Sequence, residues 1–331
     1  IKSNLAEVEA LFHPDVIKRK EAIMKKFLHC EAGYMEIDQW LPNCWVNVEC
    51  PTQDDINYLT NELHVPESFL SDIEDTDERP RIEYEGRWLL TILRIPVQST
   101  EQGIPFTTVP IGMITNGEII VSVCYYKSEL IDDFIRYTRR KELVIRTKFD
   151  LILRIIHSSA VWFLKYLKQV NNEVRMAEKE LEKSIRNEDL LRLMKLEKSM
   201  VYFNTSIRGN EVMLTKLQSI FQGPDYVDKE LLEDVETELR QAHITVNIYS
   251  DILTGTMNAF ASIITNNVNT IMKRMTSISI LLMVPTLIAS FYGMNVITYA
   301  EDLRFGFIGI ILLALALSAA AFIIFRKIRW F

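Results

Sequence analysis

Residues 258–295 read NAFASIITNNVNTIMKRMTSISILLMVPTLIASFYGMN, and the fold turns on what kind of helix this is. Positions seven apart return to one face of a supercoiled helix. Asn258, Thr265, Met272, Ser279 and Thr286 form one such series, and Ser262, Asn269, Thr276, Met283 and Ser290 form a second, offset by four. All ten are amides, hydroxyls or methionines. Ile278, Ile280, Leu281, Leu282, Val284, Leu287, Ile288 and Phe291 occupy the other faces of the same stretch. Hydroxyls and amides gain nothing from facing hydrocarbon, so a polar stripe on an apolar helix faces water or a neighbouring helix.

Working outward, no charged residue stands between Arg274 and Glu301, and 21 further uncharged positions separate Arg304 from Arg326. About 20 apolar residues suffice to cross the hydrocarbon core, so two spans are expected. Lys273 and Arg274 precede the first span and Arg326, Lys327 and Arg329 follow the second, whereas the connecting loop carries Glu301, Asp302 and Arg304. That distribution puts both termini in the cytoplasm of a cell (inner or plasma) membrane protein. The start, Ile1-Lys2-Ser3-Asn4, has no apolar core of a cleavable signal.

Towards the N-terminus, no proline interrupts residues 227 to 284, so the first span continues a charged helix. Unbroken from Val227 to Tyr292, it has 66 residues and a length on the order of 100 Å. Two more long helices are expected over Lys148–Ile185 and Asn187–Phe221, with Gly223-Pro224-Asp225 as punctuation and a short helix over Leu130–Arg140. Residues 33–126 change period. Trp45 to Glu49 alternates as a strand, Thr52 with Asp54 and Asp55 marks a helix start, Glu85-Gly86 joins two strands, and Asn116-Gly117 is a strong hairpin signal. Ile1 to His29 reads as a charged helix. The expected fold is therefore an α+β cytoplasmic domain (1–145), long helices including the stalk (146–274), a first span (275–295), a loop (296–304), a second span (305–326) and a basic tail (327–331).

Composition and motifs exclude several functions. The net charge of −7 argues against nucleic acid as a partner and suits cation handling. Cys30, Cys44, Cys50 and Cys124 have no Cys-x-x-Cys spacing and read as reduced core residues, and His13, His29, His64, His157 and His243 form no ligand pattern. Phosphate-binding glycine loops and the serine-hydrolase elbow are missing, so no enzyme is expected.

Two helices enclose no interior, so the stripe lines a pathway only if several chains place it around one axis. The plainer alternative is a lipid-embedded anchor whose hydroxyls bond within the membrane; ten successive positions without leucine, isoleucine or valine count against it. The span offers no carboxylate, only Ser279, Thr286 and Ser290, with Asn269 and Asn295 at its ends. Mg²⁺ sheds water reluctantly, and neutral oxygens suit contact with its water shell. Met272 and Met283 would form constrictions, and Glu301 and Asp302 would concentrate cations at the outer mouth.

Tyr292-Gly293-Met294-Asn295, closing the first of two C-terminal spans, strongly resembles the CorA magnesium transporters, as do Pro285 to Phe291 before it and Asn266-Asn267-Val268-Asn269 with Met272-Lys273 below it. The resemblance implies a funnel-shaped homopentamer in lipid that passes Mg²⁺, with Co²⁺ and Ni²⁺ as further divalent substrates. It makes Gly293, Met294 and Asn295 the selectivity filter, with Gly293 freeing the chain from the helix. It makes Asn258, Thr265, Asn269, Met272, Thr276, Ser279, Met283, Thr286 and Ser290 pore-lining. Lys273, Arg274, Arg326, Lys327 and Arg329 match a basic collar, and Asp72 and Asp234 match aspartates that hold regulatory Mg²⁺ between subunits. Asn258 stands where the family often has aspartate, and Ser71 replaces a frequent acidic neighbour of Asp72. Related zinc transporters of the ZntB type usually carry valine where this chain has Met294, and a scaffold without transport is the third reading.

Overall fold

The computed structural model describes residues 25–99, 103–183, 187–221, 228–294 and 305–328. They divide between two compact units, residues 1–179 with 187–253, and residues 180–186 with 254–331.

The first unit is built on a seven-stranded sheet in the order β2-β1-β3-β7-β6-β5-β4. Its strands are β1 (Lys25–Cys30), β2 (Tyr34–Ile37), β3 (Trp45–Glu49), β4 (Arg81–Glu85), β5 (Trp88–Gln98), β6 (Phe106–Thr115) and β7 (Ile120–Cys124). The expected hairpins are present: β4 pairs with β5 across Gly86, and β6 with β7 across Asn116 and Gly117. Gly117 has φ +89°, and the Asn116 side chain accepts hydrogen bonds from the Glu118 and Ile119 N–H groups at 3.0 Å. A short amide side chain stabilises the turn and glycine supplies the left-handed conformation. All neighbouring pairs are antiparallel except β3 with β7.

The N-terminal expectation needs correcting where it can be seen. Lys25 to His29 is strand, not helix; residues 1–24 of that expected helix lie outside the described residues. Phe27 pairs with Val46 on one side and with Ile37 on the other. The charges that suggested a helix are placed by tertiary contacts instead, Lys26 on Asp132 at 3.2 Å and Lys25 over the Tyr58 ring at 3.7 Å. Strand formation here is decided by neighbours rather than by local propensity.

Helices cover both faces, which is why all five residues of β3 and of β7 are buried. On one face Val46, Val48, Leu90, Ile92, Val121 and Val123 pack with Leu59, Val65, Phe69, Leu70 and Ile73. These last five come from α1 (Gln53–Asn57, continued by a wider turn over Tyr58–Glu62), the link after it, and α2 (Glu67–Glu74). Thr52 and Asp55 close a reciprocal capping box at the start of α1, as the Thr-Asp spacing predicts. On the other face Trp45 donates to Ser122 Oγ at 2.7 Å and meets Tyr34 and Phe134 edge-on. Phe134 belongs to α3 (Glu129–Arg140).

The long helices are α4 (Lys148–Lys183), α5 (Asn187–Ile220), α6 (Lys229–Tyr292, 64 residues) and α7 (Gly306–Lys327). Phe163 of α4 and Phe203 of α5 meet at 5.3 Å with rings at 84°. Helix α5 also finishes the sheet. Strand β4 ends opposite Ile92, and beyond it Asn210 stands in for a neighbouring strand, accepting from Arg94 N–H at 2.9 Å and donating to Arg94 C=O at 2.8 Å. Arg94's backbone groups thus point away from β6, so Pro110, directly opposite it, removes no ladder bond there.

Candidate ion pathway and regulatory residues

One side of helix α6 forms a seam covered in two stretches, over residues 235–260 and 277–288, while residues 261–276 are exposed except for half-buried Ile264. Leu239, Val246, Leu253 and Phe260 are buried at sevenfold spacing, and Leu281 and Ile288 are half-buried in the same phase. Val235, Ala242 and Ser277 are buried in the companion phase, with Val284 half-buried. Contacts from α5 flank the seam: His243 Nδ1 lies 2.8 Å from Glu211, and Asn204 donates to Asn247 at 2.9 Å. Within the second unit, α7 shows a single half-buried stripe, Ile310, Ala314, Ser318, Ala321 and Phe325. Its small residues are those that let two helices approach closely.

The ten positions of the polar stripe fall on the side of α6 opposite this seam, and every one is exposed. Four of their six hydroxyls share one habit. Ser262 donates to Asn258 C=O at 2.9 Å, Thr265 to Ala261 at 2.9 Å, Ser279 to Met275 at 3.0 Å and Thr286 to Leu282 at 2.8 Å. Each hydrogen is therefore spent inside the helix, and each oxygen turns its lone pairs outward. Such a face accepts hydrogen bonds. The water shell of a cation, whose oxygens face the metal, presents donors.

At the upper end, Gly293 N–H still bonds to Ala289 C=O at 2.9 Å. Gly293 is the first residue past α6, and its φ is not positive. A Cβ there would lie 3.3 Å from Ala289 C=O, a tight contact within the same helical turn. Met294 is exposed. Asn295, Glu301, Asp302 and Arg329 lie outside the described residues; Lys273, Arg274, Arg326 and Lys327 are exposed.

Asp72 lies on α2 and Asp234 on an exposed face of α6. Among the described residues no group of three or more His, Cys, Asp or Glu is placed to hold a metal. Asp72 is instead engaged by Arg81, the first residue of β4, at 2.6 Å. The charge of Asp234, behind that of Glu238, is felt by His157 on α4, whose pKa burial nonetheless lowers.

The structure adds residues to those read from sequence. Continuing the stripe's phase downward brings Ile244, Ile248, Asp251 and Gly255 onto the same exposed face. The heptad spacing alone would have found them, had it been followed below Asn258. Arg81 had no such signal, because its partners are Asp72, Glu78 and Glu83, gathered by a turn and a neighbouring helix.

Helices α6 and α7 are both long and apolar enough to cross a membrane by length and composition. An α/β unit with a very long helix and a second apolar helix, each long enough to span a membrane, defines a class of two-span membrane proteins. The chain belongs to the CorA family: the family model described as CorA-like Mg²⁺ transporter protein matches residues 42–327. A relative, the cobalt/magnesium transport protein CorA of Methanocaldococcus jannaschii, is 23% identical over 255 residues, covering 76% of this chain and 79% of its own. The complete structure of the CorA magnesium transporter from the same organism shares the fold, with TM-score 0.80, 21% identity, and coverage of 94% of this chain and 100% of that one. The ZntB cytoplasmic domain from Vibrio parahaemolyticus is less similar, with TM-score 0.56 and 14% identity over 73% of this chain and 96% of that one.

Proposed function

We propose that this chain conducts Mg²⁺ passively across the cell membrane as a homopentamer, with α6 of each subunit around the axis and α7 outside it, facing lipid. The observation that carries the reading is the opposition of seam and stripe. A helix covered on one side by its own chain, with hydroxyl acceptors on the other, is built to meet copies of itself around something that donates hydrogen bonds. Hydrated Mg²⁺ is such a species, and keeping its shell avoids the dehydration that Mg²⁺ resists. Co²⁺ and Ni²⁺, similar when hydrated, would follow.

In this reading Asn295, next to Gly293 and Met294, forms the outer ring that selects the hydrated ion. Met283 and Met272 narrow the path, and Asn258 lines its inner part with a neutral amide. Glu301 and Asp302 enrich cations outside; both termini lie in the cytoplasm. Asp72 and Asp234, hard oxygen donors on one unit, would hold regulatory Mg²⁺ together with residues of a neighbouring subunit, favouring the closed state by population shift. The family membership supports this reading over the zinc alternative.

The test is flux into liposomes carrying the full chain, with Mg²⁺ and Zn²⁺ assayed separately. Wild type is expected to admit Mg²⁺, and Asn295→Ala to abolish flux while leaving the oligomer assembled. Selective Zn²⁺ entry would replace the magnesium reading, no flux of either ion would end the channel reading, and unchanged flux in the variant would remove Asn295 from the filter.

A further inference from the structure

The Arg81 guanidinium stands among three carboxylates. Its Nη2 lies 2.6 Å from Asp72 and 2.9 Å from Glu83, its Nε donates to Glu83 at 3.0 Å, and its Nη1 pairs with Glu78. All four side chains are partly buried or half-exposed, from 16% for Glu78 to 43% for Glu83. One positive and three negative charges leave the cluster at −2. Burial works to lower the pKa of Arg81, but Glu83, Glu78 and Asp72 together raise it, so the group stays charged.

Each carboxylate accepts from its own nitrogen: Glu83 from Nε, Glu78 from Nη1 and Asp72 from Nη2, which Glu83 Oε2 also approaches at 2.9 Å. The same Glu78 oxygen also accepts from Arg79 N–H at 2.9 Å, and the Glu78 backbone carbonyl accepts from half-buried Arg94 at 2.8 Å. Arg81 can therefore release Asp72 while keeping its other two partners.

We propose that Arg81 is the internal competitor of the regulatory cation: it neutralises Asp72 when the cation is absent and must yield that carboxylate for the cation to bind, so it sets the Mg²⁺ concentration at which the protein responds. This rests on Asp72 being a regulatory ligand, as proposed above. A part-exposed ion pair weakens a competing ligand by only a modest factor, and that scale suits a set-point better than a lock. The fork of a guanidinium, with several donors in fixed geometry, is what permits one partner to leave without the others.

The test uses the full oligomer in detergent, titrated with Mg²⁺ and read by protection from limited proteolysis and by melting temperature, with flux inhibition in liposomes as a second readout. Arg81→Gln is expected to lower the half-maximal Mg²⁺ on the order of fivefold in all three. Glu83→Gln, which frees Arg81 to hold Asp72 more fully, is expected to raise it, and this exposed substitution serves if Arg81→Gln does not assemble. A midpoint that stays put or moves the other way in either variant overturns the proposal. Asp72→Asn separates the two ideas: if it leaves the titration unchanged, Asp72 is not a regulatory ligand, whatever Arg81 does.

Discussion

Strand β7 and the last third of α6 are both rich in aliphatic residues, and the protein treats them in opposite ways. Ile120, Val121 and Val123 are buried on both faces of the sheet, as is Ser122 between them. Ile278, Leu282, Leu287 and Phe291 stay at least half-exposed in the single chain. Apolar residues state that water must be left; they do not say what replaces it. For β7 the replacement is the protein's own helices. For α6, in the proposed assembly, it is lipid and neighbouring helices, copies of α6 itself among them. Polar residues show the same contrast, since Asn210 and Ser122 are satisfied by distant parts of the chain whereas four of the stripe hydroxyls are satisfied four residues back on their own helix.

That difference can be broken by substitution, and the largest effect is expected at Asn210. Asn210→Leu would strip partners from the Arg94 N–H and C=O inside the protein, lowering stability on the order of 3 kcal/mol, visible as a lower melting temperature.

Glu49 comes next. It is buried at the end of β3 with one carboxylate oxygen lacking a hydrogen-bond partner. Burial first, and Asp132 second, push its pKa up to about 7 against the ordinary 4.5, with Lys26, Lys127 and the Ser128 N–H opposing. The folded state thus holds a proton that the unfolded chain releases, so stability falls as pH rises from about 4.5 to about 7. Glu49→Gln should melt like wild type below that window. Above it the variant should gain on the order of 2 kcal/mol, and a gain that is the same at every pH would refute the ionisation account.

A matched pair gives the smallest effects and the sharpest comparison. Thr91, fully buried in β5, has a hydroxyl without a partner, so Thr91→Val should stabilise by about 1 kcal/mol. Thr286→Val on the exposed stripe should leave melting almost unchanged and yet slow Mg²⁺ flux, because it deletes an outward acceptor. Equal flux in Thr286→Val and wild type would count against the stripe as the conducting face.

Legibility followed the range of the interactions. The hairpins at Gly86 and Gly117, the capping box at Thr52 and the run of α6 through Pro285 depend on residues a few positions apart, and each was visible as a motif or a period. Strands β1 and β2 were not, because Lys25 to Cys30 has a helix-like charge pattern and becomes strand only by lying between β2 and β3. The polar stripe was legible as spacing, while its position opposite a covered seam needed the packing of α6.

What the amino-acid order determined by itself is therefore periodic and local: where helices run, where chains turn, which stretches suit lipid, and which side of α6 is polar. What tertiary structure alone decided is every pairing across long separations: the parallel register of β3 on β7, the Asn210 clamp on Arg94, and the Arg81 fork that reaches Asp72. Short-range preferences repeat along a sequence and leave a period behind. A contact between distant segments leaves none, since its partners meet only once the chain has folded.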